Sequence, residues 1–523
     1  MFTQQVELCR RIVLEHYGPI VETVAALLIH EGRLPLGLIL RKTKLTALNV
    51  RQSLAVLIQH GIATHAEAKE GARTSIFYAV NIKAILRLQR AGLYLALVEE
   101  RMGKDGLAAF RTIMANGVMS IGSVRDILGI KKTGKSAAKI KFDNVVAKLV
   151  RERFITAVTP KDTVTKVDRV MQEEAKMVDA MDIPPTAKQL MEIRRTIKER
   201  DDVEYFSSSV VGIKRAAPLD TYGDRPSKMH VQIGLDGLPI GIAGDTSTAG
   251  AEEDTVDDKQ CFRAYYDRLD VLLRNQQIVN FFTEKYNVGA GAVVKAILRV
   301  SEPHTRTCRE KISDVVSANQ VIQNIAADAP LGDSVDTGSD IPTSELSQTK
   351  RNEIAFALLE VLHADSSGIV VKVEERGAGQ YRVNFERASA TLRDQVLDDL
   401  VQEKFGALHA RLIRKLDEKI PRSADRNPSR MFYLWFVNPD KQGMTNLSLR
   451  TEHELAIREP LITKTKRKDI IADPSLLTDY ERKELAKLED IKQKLKVAKL
   501  RLDSMLLIVH DINPKSADLQ LLQ

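Results

Sequence analysis

The chain has little of what most catalytic, secreted or membrane proteins carry. It has only three cysteines, Cys9, Cys261 and Cys308, and they are far apart. That spacing gives neither a disulfide framework nor a zinc-ligand pattern, and it fits a reducing compartment. Aromatic residues make up 5% of the chain, with one tryptophan, Trp435. No apolar run is long enough to span a membrane, and Met1 to Gln5 lacks the apolar core of a signal peptide. Charge of one sign is also scarce: the net charge of +8 is modest for 523 residues. It permits contact with nucleic acid or an acidic partner without demanding it. No paired carboxylates, nucleophile elbow or metal-ligand cluster is found, so no catalytic residue, cofactor or metal is expected.

What is present is helical periodicity, repeated. From Val6 to Gly32, Leu8, Ile12, Val13, Val21, Val24, Leu27 and Leu28 recur at steps of three and four, a helix face punctuated by Gly18-Pro19. A short pattern follows with Leu36, Ile39 and Leu40. Thr46 is placed to cap a third helix that carries Val50, Leu54, Leu57 and Ile58 and stops at Gly61. The period then changes to two, with a turn at Lys69 to Ala72 and a strand over Thr74 to Val80. Helix, helix, capped helix, hairpin is the order of a winged helix. Arg51 is the only fixed charge between Thr46 and His60. Base reading wants several Arg, Lys, Asn or Gln on one face, so this helix is expected to pack a core and offer a protein-binding face.

The pattern recurs. Leu107, Phe110 and Ile113, then Val124, Ile127 and Leu128, then Phe142, Val145, Val146 and Leu149, with a strand over Phe154 to Val158, predict a second winged helix with a poorly defined wing. Two more helical patterns occupy Asp162 to Arg200. Pro, Gly and Asp then gather from Pro218 to Asp258, an acidic linker. A third copy is expected to begin near Phe262 and to end in the hairpin Ile369 to Val373 and Gln380 to Phe385, with a flexible insertion at 326–348. Leu392 to Leu416 and the apolar strand Met431 to Val437 give a fourth, shortened copy. Finally Leu488, Ile491, Leu495, Ala498, Leu502, Met505, Val509 and Ile512 form an unbroken heptad seam, whose partner is either Leu447 to Ile457 folded back or another protein. The predicted fold is mainly α with small β wings: tandem winged-helix domains plus a C-terminal coiled-coil stalk.

One stretch points elsewhere. Gly129-Ile130-Lys131-Lys132-Thr133-Gly134-Lys135-Ser136 matches the P-loop pattern, in which backbone N–H groups cradle phosphates. A P-loop follows a buried strand, however, and Ser123 to Leu128 carries charges where that strand needs apolar residues. The same stretch, with Lys131, Lys132, Lys135, Lys139 and Lys141, also reads as a basic insertion lying on DNA phosphate, or as a solvated loop. Arg51, Lys69 and Arg73 are weaker candidates for backbone contact.

Gln4 to Gly32, Thr43 to Thr46 and Val50 to His60 resemble the N-terminal helix-turn-helix of the third-largest subunit of eukaryotic RNA polymerase III. Val401 to Gly406, Pro421 to Trp435, and Asp473 to Thr478 through Leu502-Asp503 are similar to the same family, in order and over nearly the whole chain. The resemblance implies four extended winged helices and a helical stalk, a relationship to the large subunit of transcription factor IIE, and a nuclear, non-catalytic subunit. It implies a place in a polymerase-specific trimer, with two other subunits, docked on the clamp of the largest subunit. There it would act in transcription initiation and promoter opening, touching double- or single-stranded DNA without sequence preference. Expected domains are residues 1–82, 83–205, linker 206–260, 261–387, 388–440 and stalk 441–523. The chain departs from the family in the fourth copy. Leu416 to Lys419 joins Ile420-Pro421 directly, where the family has two more helices, roughly thirty residues. A P-loop ATPase and a free-standing sequence-specific regulator are the rival readings.

Overall fold

The computed structural model describes residues 3–70, 73–130, 137–181, 186–207, 213–214, 255–326, 348–374, 379–409 and 478–512, with 329, 331, 411 and 453. Of the expected fourth copy, residues 388–409 and 411 are described and the strand Met431 to Val437 lies outside; of the possible seam partner Leu447 to Ile457 only 453 is described. The chain forms two compact units. One holds residues 1–30, 82–94 and 266–523; the other holds 31–81 and 95–265.

The second of these units carries most of the first winged helix. α1 (Thr3–Tyr17) and α2 (Pro19–Glu31) lead to β1 (Leu34–Pro35), α3 (Leu36–Thr43), α4 (Ala47–Gln59), β2 (Ala63–Glu70) and β3 (Arg73–Val80). The Thr46 hydroxyl accepts from Asn49 N at 3.3 Å and caps α4. Gly61 turns the chain at φ +68°, a conformation that favours glycine. Val50, Leu54 and Leu57 bury the inner face of α4. The strand order is β1-β3-β2, all antiparallel.

The second copy follows α5 (Ile82–Gln89) and α6 (Ala91–Asn116), which is broken at Gly103 (φ +71°, ψ −173°). It comprises β4 (Met119–Ser120), α7 (Ile121–Ile127), α8 (Ala137–Arg151) and β5 (Ile155–Ala157). Its wing is completed from far along the chain. After α9 (Lys166–Asp179), α10 (Ala187–Ser207) and the paired strands β6 (Ile213–Lys214) and β7 (Thr255–Val256), β8 (Cys261–Ala264) inserts between β4 and β5. Phe262, expected to open the third copy, is instead a fully buried residue of the second copy's central strand. Ile127, expected on the core face, is 59% exposed.

The third copy is preceded by α11 (Tyr266–Lys285). It runs α12 (Val288–Ser301), β9 (Val316–Ser317), α13 (Ala318–Asn324), α14 (Gln348–Ala364), β10 (Val370–Glu374) and β11 (Gln380–Val383), then α15 (Phe385–Phe405). Its sheet order is β10-β11-β9. In all three copies the last wing strand is central, flanked by the first wing strand and by a two-residue strand before the second helix. This shared topology confirms mainly α architecture with small β wings.

The stalk begins with α16 (Asp479–Leu506), capped by a reciprocal Thr478–Glu481 box. Leu488, Ile491, Leu495, Ala498, Leu502 and Met505 are half-buried along it. Towards its end the helix packs inside its own unit through residues beside the seam. Lys499 pairs with Glu15 of α1 at 3.5 Å, and Asp503 and Leu506 line a small cavity with Gln5, Leu8, Leu86, Gln89 and Arg90. The heptad does not run unbroken to Ile512. The chain widens into a π-turn over Leu507–Asp511, which shifts the register of the final positions. Ile512 is buried, and the side chain of Val509 lies outside the described residues.

This stalk end closes a buried charge network. Arg87 contacts Asp267 at 2.5 Å and Asp270 at 2.8 Å. Tyr94 donates its hydroxyl to Asp270 at 2.6 Å. Arg90, 3% exposed, meets Asp511 at 2.6 Å, and the Cys308 thiol donates to the Asp511 carbonyl at 3.4 Å. Burial raises the Asp270 carboxyl above its ordinary range, with Arg87 and Arg90 opposing. Burial alone would lower Arg90, but Asp511, Tyr94 and Asp270 more than offset it, so its guanidinium stays charged.

Candidate nucleic-acid interface

A winged helix meets a DNA groove with its third helix, so the three third helices are the places to compare. The outer face of α4 presents Leu48 (64% exposed), Arg51, Gln52, Ala55 and Gln59. That face holds one cation. The outer face of α14 presents Lys350, Glu353, Ala357, Glu360 and Val361. There Glu360 accepts from Lys372 at 2.9 Å and from the Tyr381 hydroxyl at 2.8 Å, and these hydrogen bonds hold its carboxyl below the usual range.

The α8 helix differs. Phe142, Val146, Leu149 and Val150 are buried beneath it. The wholly buried Arg125 of α7 pairs with Asp143 of α8 at 2.8 Å and with Asp258 at 2.8 Å. Its guanidinium also lies 5.7 Å from the centre of the Phe142 ring. Burial raises the Asp143 carboxyl, with Arg125 opposing. Arg153, at φ +60°, ends the helix and turns the chain into β5. On the opposite, outward side stand Lys141, Asn144, Lys148 and Arg151, all exposed. Lys141 makes one exposed ion pair, with Asp105 at 2.7 Å.

The expected backbone-contact residues are therefore not one patch. Arg51 is alone on α4. Lys69 and Arg73 sit at the hairpin end, beside the Glu70–Arg73 register pair, and their side chains lie outside the described residues. So do Lys131, Lys132 and Lys135. Lys139 and Lys141, expected in a loop, are on α8, and they point to different sides. Lys139 is half-buried, its charge acting on Asp143, whereas Lys141 faces out. Asn144, Lys148 and Arg151 give no apolar signal because they occupy the gaps between the apolar positions. Their spacing, at three and four from Lys141, was the available signal.

The P-loop reading fails on local structure. The residues ahead of Gly129 form α7, capped by Ser120, where a P-loop needs a buried strand. Among the described residues no group of His, Cys, Asp and Glu could hold a metal ion, and no helix is long and apolar enough to cross a membrane.

Comparison with known proteins agrees with the fold. Residues 7–68 match the model of the RNA polymerase III subunit RPC82 helix-turn-helix domain, and residues 144–392 match that of RNA polymerase III subunit RPC82. Together these cover more than half of the chain. A Danio rerio protein named DNA-directed RNA polymerase III subunit RPC3 is 24% identical over 94% of this chain and 92% of its own length. The Homo sapiens protein of the same name is 22% identical over the same shares. A Coccidioides immitis relative, subunit RPC-3, is 21% identical over 97% of this chain and 99% of its own. With three copies of one winged-helix topology and these matches along nearly its whole length, the chain belongs to the RPC82 family, the third-largest, non-catalytic subunit of RNA polymerase III.

Proposed function

We propose that this chain, a non-catalytic subunit of DNA-directed RNA polymerase III, acts in the nucleus in transcription initiation and promoter opening. It does so by docking on protein and touching DNA through its backbone. Its protein partners are the clamp of the polymerase's largest subunit and the two other subunits of a polymerase III-specific trimer. Its DNA contact is independent of sequence, made by cations drawn from Arg51, Lys69, Arg73, Lys131, Lys132, Lys135, Lys139 and Lys141. The observation that best supports the reading is the near-neutral outer faces of α4 and α14, which lack the convergent Arg, Lys and amide groups of a base reader. A winged-helix protein with such helices is held in place by its neighbours and adds electrostatic grip.

The test is affinity purification of the full chain from nuclear extract, with mass spectrometry of the co-purifying proteins. Recovery of the polymerase III core with two smaller subunits is the expected result. A chain that comes down alone and selects one DNA sequence from a random pool is a free-standing regulator, and the proposal fails.

A further inference from the structure

We infer that the outer face of α8 is a duplex-DNA site, with Lys141 and Arg151 on phosphates at its two ends and Asn144 and Lys148 over base edges between. The inference rests on the DNA contact proposed above and assigns it to the second winged helix.

Three observations carry it. First, Lys141, Asn144, Lys148 and Arg151 follow one another at steps of three, four and three, one stripe of an α-helix. All four are exposed, and three are cations. Second, the same position in the other copies is not built this way: α4 offers Arg51 alone, and α14 carries Glu353 and Glu360. Equal topology with unequal charge singles out one copy. Third, the stripe stands on a rigid base. The Arg125–Asp143 pair is buried directly under α8, and Arg125 also reaches Asp258 beside the central wing strand β8. Asp143 is buried against Arg125, and Glu152 is half-buried. Asp105 holds Lys141 in an exposed pair that a phosphate displaces at little cost.

The dimensions suit a groove. Ten residues of helix separate Lys141 from Arg151, about 15 Å at about 1.5 Å per residue, and a major groove is about 12 Å wide. A helix seated there puts its end cations against the two phosphate walls. Lys148 and Asn144 then face the base edges, where one lysine and one amide are too few to select a sequence. The site therefore holds duplex mainly by charge.

The test uses the full chain, a short fluorescent duplex and anisotropy measured over a salt series. Each cation meeting a phosphate adds about 0.9 to the slope of log affinity against log salt. Lys141→Ala/Lys148→Ala/Arg151→Ala is expected to flatten the slope by about 2, from the two phosphate contacts, with an unchanged thermal midpoint because all three side chains are exposed. Asn144→Ala leaves the slope alone, and Arg51→Ala, the control, flattens it by about 1 or less. A wild-type chain that binds duplex while the triple variant keeps the full slope overturns the assignment and leaves the DNA contact standing elsewhere. A wild-type chain that binds no duplex overturns both. A triple variant that loses single-stranded but not double-stranded DNA, or keeps duplex binding while losing polymerase, also overturns it and makes the face a single-strand or protein site.

Discussion

Arg90, in the turn between α5 and α6, and Lys148, on α8, are both cations, yet they do opposite work. Arg90 is 3% exposed and meets Asp511; with Arg87, Tyr94 and Asp270 it ties α5, the start of α6, α11 and the end of the stalk into one unit. Lys148 is exposed on the face of α8. A buried charge is committed to its partner, because removing either one leaves the other desolvated and unpaired. An exposed charge costs the fold little and is available to a ligand. Stability and binding should therefore separate cleanly between these two groups of residues, and each substitution below tests that separation.

The largest effects belong to the buried set. Asp511→Ala removes the nearer carboxylate from Arg90, leaving Asp270 at 3.8 Å, and should destabilise its unit by up to about 3–5 kcal/mol, seen as a lowered thermal or denaturant midpoint. Arg125→Leu strands Asp143 and should cost a similar amount, about 3–5 kcal/mol, in the other unit; a loss confined to DNA binding would blur the comparison. Gly117→Ala comes next. Gly117 has φ +76°, and a Cβ there would lie 2.5 Å from the Gln59 carbonyl. That carbonyl accepts from Val118 N at 3.1 Å, while the Gln59 amide donates to the Asn116 carbonyl at 2.9 Å. The variant should lose about 1–3 kcal/mol and loosen the end of α4 from the turn after α6, readable as faster amide exchange at Val118.

Smaller still is the effect at Lys83. Burial lowers its ammonium to about 8, with Arg309 adding repulsion. An ammonium with a depressed folded pKa means the unfolded chain binds more protons between that value and the ordinary one near 10.5. Stability should then rise with pH from about 8 to 10.5, and Lys83→Met should lack that rise, so that it appears in the wild-type-minus-variant difference. Last, Arg33→Ala breaks a bidentate pair with Asp168 at 3.1 and 2.7 Å. Arg33 is nearly half exposed, so at most about 1 kcal/mol is expected.

The helices and the local hairpins were legible in the sequence because their signals are local. Thr46 announced the α4 cap, Gly18, Gly32 and Gly61 marked turns, and period-two runs marked β2, β3, β10 and β11. The second wing was not legible for the opposite reason. Its central strand, Cys261–Ala264, lies about a hundred residues beyond β5 in the chain, and no local pattern states which strand it pairs with. Phe262 looks like the first apolar residue of a new helix face, yet it is buried in the central strand of the preceding sheet. The buried charges were hidden too. Arg90, Arg125 and Asp270 sit among polar letters that a periodic reading assigns to solvent, and only the fold brings their partners to them. On α8, Lys139 and Lys141 are neighbours in sequence, although two residues along a helix put them on different sides.

Permanganate reactivity of thymines at a polymerase III promoter, with polymerase lacking or containing this chain, tests the role most directly. The account predicts reactive, opened DNA only when the chain is present, weakened opening with the Lys141, Lys148 and Arg151 triple variant, and rescue of transcription without the chain on a pre-melted template. Equal opening in the chain's absence would contradict it.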